Sequence, residues 1–172
     1  MRFPTPSELR ATLCTLLDDE VAVELGRVPN RRLLGHCTYE LIDARDNRRG
    51  VVAVELPLAH ALGAAIAKVT PRAVSNAEPQ PYLLECAREV VNVVVGRIAV
   101  RSAIDVHIEP TADGRRPWTA LLPDASYRIS IEGYSSGQLA ITELHRSGLL
   151  LLDEPKSDPL ATALTNAGHV DR

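Results

Sequence analysis

Hydrophobic residues recur at the period of an α-helix through the middle of the chain, over residues 81–100. No turn signal interrupts this stretch, and Pro81 suits the first position of a helix. The strict alternation of a strand would put Glu85 and Asn92 on opposite faces, whereas the helical period brings them to one side. We therefore predict a helix here, although its β-branched valines favour a strand by propensity alone. Its apolar face comprises Leu83, Leu84, Ala87, Val91, Val94, Val95 and Ile98.

Two further helices and six strands follow from the same kind of pattern. Thr5 and Glu8 form a capping box for a helix over 6–18, and a second helix begins at Pro57 and ends near Thr70. Alternation of apolar and polar residues predicts the strands. We place them at 20–25, 33–42, 51–56, 105–110, 126–132 and 139–145, with a charged hairpin loop over 43–50, a loop over 72–80 and a tight turn around Ser135–Gln138.

The order of these elements indicates the fold class. One helix, three strands, two helices and three strands form runs rather than strict βα alternation, so we expect an α+β fold with an antiparallel sheet of about six strands. The helices should pack on one face of that sheet. Residues 1–152 are expected to form a single domain. Residues 153–172 are polar and contain prolines, so we expect a flexible C-terminal tail with at most a short helix at 160–164.

Composition excludes some classes of function. The formal net charge of −3 provides no attraction for nucleic acid or an anionic membrane, and 3% aromatic residues supply few base-stacking side chains. We therefore expect neither partner. The three cysteines form no C-x-x-C pair and the start of the chain lacks the apolar core of a secretory signal, so we expect reduced thiols and a cytoplasmic protein.

Familiar motifs for metals, phosphates and nucleophiles are absent from the sequence. None of the five histidines pairs with another histidine or a cysteine at a metal-ligand spacing, and there is no P-loop, G-x-G-x-x-G loop or nucleophile elbow. The Ser135-Ser136-Gly137 run is better explained by a tight turn than by a nucleophile. We expect the chain to have no metal or cofactor of its own.

The predicted central helix has a second, polar face, which we call the polar stripe: Glu85, Glu89, Asn92 and Gly96. Two glutamates on a helix often do no more than face solvent. Asn and Gly are both unfavourable in mid-helix, however, Gly by about 1 kcal/mol relative to Ala. A carboxylate one turn from a carboxamide is also a useful chemical pair, because the first can hold a cation and the second can position a water molecule.

The stretch Glu89-Val-Val-Asn92-Val-Val-Val-Gly96 resembles the E-x-x-N-x-x-x-G helix of the CheX, CheC and FliY chemotaxis phosphatases. The strand and helix at 50–67 and the closing hairpin at 127–145 are similar to that family as well, so the resemblance covers about 7–147. It implies that the chain dephosphorylates a phospho-aspartyl, CheY-type response-regulator receiver domain.

The resemblance also implies roles for particular residues. Glu89 would dock against the receiver's active-site lysine, and Asn92 would orient the attacking water. The aspartyl phosphate and its Mg²⁺ would belong to the receiver, which is consistent with phosphoryl transfer needing mainly positioning and charge stabilisation. We expect further contacts with the partner from Glu85, Arg88, Val93 and Gly96.

The chain departs from the family pattern at Glu85, where some members carry a small polar residue or Asp. A second carboxylate could aid docking or repel the phosphoryl group. Gly96 could leave room for the partner's backbone or allow close helix packing. The chain carries a single motif, which is CheX-like, and members of that type pair through sheet edges, so we expect a homodimer.

Two other interpretations stay open at this point. The chain could be a non-catalytic adaptor of the same fold that binds a receiver without changing the lifetime of its phosphate. It could also be a dimeric signalling scaffold whose polar stripe is merely solvated.

Overall fold

A six-stranded antiparallel sheet forms the centre of the computed structural model, which describes residues 1–26, 35–74, 80–111 and 123–144. Its strands lie in the order β1-β5-β6-β3-β2-β4, so β1 and β4 form the two edges. The α+β fold class with an antiparallel sheet is confirmed. The elements are α1 (Pro6–Leu17), β1 (Val21–Leu25), β2 (His36–Asp43), β3 (Arg48–Glu55), α2 (Leu56–Ile66), α3 (Pro71–Val74), α4 (Pro81–Ser102), β4 (Val106–Pro110), β5 (Ala125–Ile131) and β6 (Gly137–Glu143).

One face of the sheet carries the core. The pairing register places Tyr39 opposite Val52, and Val52 opposite Ile141, so these buried side chains of three adjacent strands point to the same side. They belong to one hydrophobic cluster with the buried residues of α1, α2 and α4. The helices α1, α2 and α4 therefore pack on a single face of the sheet, as the order of elements predicts.

The helix α2 ends earlier than its pattern predicts, at Ile66 rather than near Thr70. Lys68 adopts a left-handed conformation with φ of 56°. The N–H of Val69 then donates to the Ala64 carbonyl at 2.9 Å, which is the bond of a Schellman motif. Because no glycine marks this position, the sequence lacks the usual signal for the end of a helix. The four-residue helix α3 follows, partly inside the predicted loop over 72–80.

The strand β3 begins at Arg48, inside the predicted charged loop. The Asp43 carboxylate accepts hydrogen bonds from the backbone N–H groups of Arg45 and Asn47, both at 2.9 Å, and so closes a shorter turn than expected. The turn before β6 is also shifted, because Gly133, with φ of 78°, lies in it and β6 already begins at Gly137. The predicted start of β2 at 33–34, the last residue of the predicted 139–145 strand and the predicted tail over 153–172 lie outside the described residues.

The helices α2 and α4 approach each other closely at Gly63. A Cβ built on Gly63 would lie 1.8 Å from the Leu83 carbonyl oxygen, so only glycine permits this approach of the two backbones. The buried face of α4 comprises Leu83, Ala87, Val90, Val91, Val94, Val95 and Ile98, with Leu84 half-buried beside it.

The helix α1 also contacts α4. Its predicted capping box is present: the Glu8 N–H donates to the Thr5 hydroxyl at 3.3 Å, and the Thr5 N–H donates to the Glu8 carboxylate at 2.7 Å. Glu8 also forms an ion pair with Arg101 near the C-terminal end of α4. The start of α1 is thereby joined to the last turn of α4.

Candidate functional site

The polar stripe lies on the outer face of α4. Glu85, Glu89, Asn92 and Gly96 are all exposed, because the buried face of α4, with Val90, Val91, Val94 and Val95, lies on the opposite side of the helix. The side chains of Glu85 and Glu89 are 66% and 62% exposed. The helix that the sequence predicts is therefore present with the orientation that the 3.6-residue period requires.

The Asn92 carboxamide makes no hydrogen bond to the residues that the structure describes. It projects from the middle of α4, roughly three turns from the nearer end of the helix, where fraying would begin. A carboxamide can donate and accept a hydrogen bond at the same time. Asn92 thus presents both capacities to whatever approaches this face.

Gly96 lies in open space. A Cβ built at this position meets no described atom within 4 Å. Close packing within the chain, one of the two explanations that the sequence leaves open, therefore does not account for Gly96 among the described residues. Gly63 is the glycine that serves helix packing, and its role could not be distinguished from sequence because both glycines stand alone in helical stretches.

Arg88 links the two glutamates of the stripe. Its Nη2 atom lies 3.5 Å from a carboxylate oxygen of Glu85 and 3.7 Å from one of Glu89. The Arg88 side chain is 38% exposed, and its charge influences the pKa of the buried Tyr39 phenol. Burial is the main cause that raises the pKa of Tyr39. The nearby Cys37 and Glu85 raise this pKa further, and the positive charge of Arg88 lowers it.

An apolar strip accompanies the polar stripe on the outside of α4. Val93 is 38% exposed, Tyr82 59% and Val100 82%, and they are three of the four large hydrophobic residues exposed in the described chain. The sequence analysis named Val93 but missed Tyr82 and Val100. Their helical positions, which fall on the same flank as Val93, could have revealed them.

Two concavities in the described part of the chain do not include the polar stripe. A groove of about 390 Å³ runs between α1 and α4 and includes Thr12, Arg97 and Val100 in its lining. Another of about 400 Å³ lies at the β2–β3 hairpin. Neither is lined by Asn92 or Glu89, which are exposed on the outer face of α4. An exposed helix face outside these two concavities suits a partner that supplies the cavity itself.

Among the described residues, no three His, Cys, Asp or Glu side chains are grouped so that they could hold a metal ion. In the same part of the chain, no helix is both long and apolar enough to cross a membrane.

Solved structures share this fold at low sequence identity. FliM from H. pylori, in its complex with SpeE, matches with a TM-score of 0.54 and 12% identity over 80% of this chain and 80% of FliM. The FliM middle domain from Vibrio alginolyticus matches with a TM-score of 0.52 and 14% identity over 84% of this chain and 90% of that domain. FliY from Thermotoga maritima matches with a TM-score of 0.50 and 10% identity over 83% of this chain and 84% of the FliY chain.

CheX and CheC-like structures are among the other matches, at lower TM-scores. No protein-family model and no curated protein matches the sequence. The chain therefore has the fold of FliM and FliY. This confirms the fold that the E-x-x-N resemblance implies.

Proposed function

We propose that this protein is a phosphatase that removes the phosphoryl group from a phospho-aspartyl, CheY-type receiver domain. Glu89 docks against the receiver's lysine, and Asn92 orients the attacking water. The observation that carries this proposal is the exposure of Glu89 and Asn92 one turn apart on the outer face of α4, with open space over Gly96 in the next turn.

The chemistry requires little of the phosphatase itself. Phosphoryl transfer is accelerated mainly by placing the nucleophile in line and by balancing charge. The receiver contributes the aspartyl phosphate and the Mg²⁺ beside it, so this chain needs neither a nucleophile nor a metal. The Asn92 carboxamide can accept a hydrogen bond from the water while it donates one to a phosphoryl oxygen.

The surface around the pair suits a protein partner. An exposed apolar strip beside a polar stripe is typical of interfaces, where aromatic and aliphatic side chains supply burial and polar groups fix the register. Tyr82, Val93 and Val100 supply the apolar part here. The FliM and FliY folds support a place in chemotaxis or a related two-component pathway, and such a partner places the protein in the cytoplasm.

The test is the rate at which a phosphorylated receiver loses phosphate. The wild-type protein should accelerate the loss, and Asn92→Ala should reduce the acceleration at least about ten-fold, since it removes the group that places the water. Asn92→Ala should also stabilise the exposed helix by about 0.5 kcal/mol, so unfolding cannot explain the loss. Arg97→Ala, on the same helix but off the stripe, is the matched control. Equal decay with and without the wild-type protein, across a panel of CheY-type receivers, contradicts the proposal.

A non-catalytic adaptor is the second candidate, and one observation favours it: FliM of the same fold was solved in complex with another protein, SpeE. An adaptor would bind a receiver through the same stripe and leave the lifetime of its phosphate unchanged. Glu89→Lys would then weaken binding although no turnover is detected. Calorimetric titration of wild type and variant against a receiver, beside the decay assay, separates the two candidates.

We further propose a homodimer that forms through a sheet edge. The two edges of the described sheet are β1 and β4, and an edge strand has backbone groups available for pairing with a second copy. Sedimentation equilibrium should give twice the mass of one chain. A monomer at high micromolar concentration would contradict this part of the proposal.

A further inference from the structure

A phosphatase of this type faces an electrostatic difficulty at the polar stripe. The phosphoryl group of the receiver carries close to two negative charges at neutral pH, about −1.5 to −2. Glu85 and Glu89 present two more on the surface that must approach it. Only Glu89 has a proposed partner, the receiver's lysine, so Glu85 would repel the phosphoryl group without any gain.

The structure provides a cation at this point. One nitrogen of Arg88 lies within ion-pair distance of both carboxylates, 3.5 Å from Glu85 and 3.7 Å from Glu89. The three side chains together carry one net negative charge. The Arg88 side chain is 38% exposed, less than either glutamate, so it has less freedom to move away than a fully exposed arginine.

We propose that Arg88 is a positioning residue that neutralises Glu85 and holds Glu89 toward the partner. When Glu89 engages the receiver's lysine, Arg88 keeps its pair with Glu85, and the phosphoryl group then meets no unpaired carboxylate. This inference rests on the proposed function. It also assigns a role to Glu85, which the sequence left open: Glu85 is the ion-pair partner of Arg88.

The role of Arg88 can be measured without turnover. A CheY-type receiver loaded with beryllofluoride carries a stable mimic of the phosphoryl group, and the same receiver without it lacks that negative charge. Arg88→Met keeps the aliphatic stem and removes the charge. Arg97→Met removes the same charge from an exposed position off the stripe and serves as the control.

Arg88→Met should weaken binding of the loaded receiver about ten-fold, equivalent to 1.4 kcal/mol, and change binding of the unloaded receiver less than about two-fold. Glu85→Gln should restore most of the loss when combined with Arg88→Met. The loss should also shrink near 1 M salt, where the Debye length is about 3 Å. Arg97→Met should bind both forms as the wild type does.

Two results would overturn the inference: a loss that Glu85→Gln does not restore, or an equal loss for loaded and unloaded receiver. Either would mean that Arg88 contacts the partner directly or only supports the helix. A wild-type protein that binds the loaded receiver but does not accelerate phosphate loss would refute the proposed activity. The affinities of Arg88→Met and wild type for the loaded and unloaded receiver would still test the role of Arg88. If the wild type binds neither form, both proposals fall.

Discussion

Replacing Gly96 by alanine should make the protein more stable and less active. Glycine in an exposed helix interior costs about 1 kcal/mol relative to alanine, because it loses more backbone freedom on folding. The new methyl group would meet no described atom within 4 Å, so nothing in that part of the chain opposes the gain. The expected result is stabilisation by about 1 kcal/mol, which corresponds to about 2–4 °C in Tm for a chain of this size.

The same methyl group should interfere with the partner. If Gly96 lets the receiver's backbone approach α4, a Cβ there forces the two surfaces apart, and overpacking of this kind costs about 1–3 kcal/mol. Acceleration of phosphate loss should then fall at least about ten-fold. The measurements are urea denaturation for stability and decay of a phosphorylated receiver for activity, made on the same preparation.

Gly63→Ala is the matched control, because it is also a Gly-to-Ala change inside a helix. Its Cβ would lie 1.8 Å from the Leu83 carbonyl oxygen, and that atom is backbone that cannot rotate away. Gly63→Ala should therefore destabilise the protein by about 1–3 kcal/mol or more. A stabilised Gly96→Ala variant with wild-type activity would refute the role of Gly96 in docking. A destabilised Gly96→Ala variant would contradict the conclusion that a side chain at position 96 meets open space.

Three other predictions concern the rest of the molecule. Burial lowers the pKa of His36 from 6.5 to about 4, so the unfolded state binds more protons between those pH values. Stability should fall through that window as the pH drops, by at most about 3 kcal/mol, and His36→Gln should flatten the dependence measured by denaturant titration. Thr5→Ala removes the N-cap of α1 and should cost about 1 kcal/mol in urea denaturation, while an unchanged midpoint would contradict the cap's role. Val100→Ser should weaken receiver binding in calorimetry but shift stability by less than about 0.5 kcal/mol, because Val100 is 82% exposed.

Local signals predicted the parts of the site that depend on neighbours in sequence. The 3.6-residue period assigned the inner and outer faces of α4 because a helix repeats its geometry from one turn to the next. The capping box at Thr5 and Glu8 was readable for the same reason, since both partners lie within one turn. The end of α2 was not readable, because Lys68 adopts a left-handed conformation that sequence normally assigns to glycine or asparagine.

The electrostatic and steric character of the site was not readable from residues alone. Sequence placed Glu85, Arg88 and Glu89 within five positions but left open whether Glu85 helps or hinders. The structure adds that the Arg88 guanidinium lies 3.5 Å from Glu85 and 3.7 Å from Glu89, which sequence spacing alone does not determine because it does not select the side-chain rotamers.

By itself, the sequence determined the α+β class, the length of α4 and the presence of Glu89, Asn92 and Gly96 on its outer face, because all of these follow from short-range periodicity. Only the tertiary structure decided the strand order β1-β5-β6-β3-β2-β4, the backbone contact at Gly63 and the open space over Gly96. Each of these depends on elements far apart in the chain that come together when apolar faces are buried. Periodicity carries no information about which of those faces will meet.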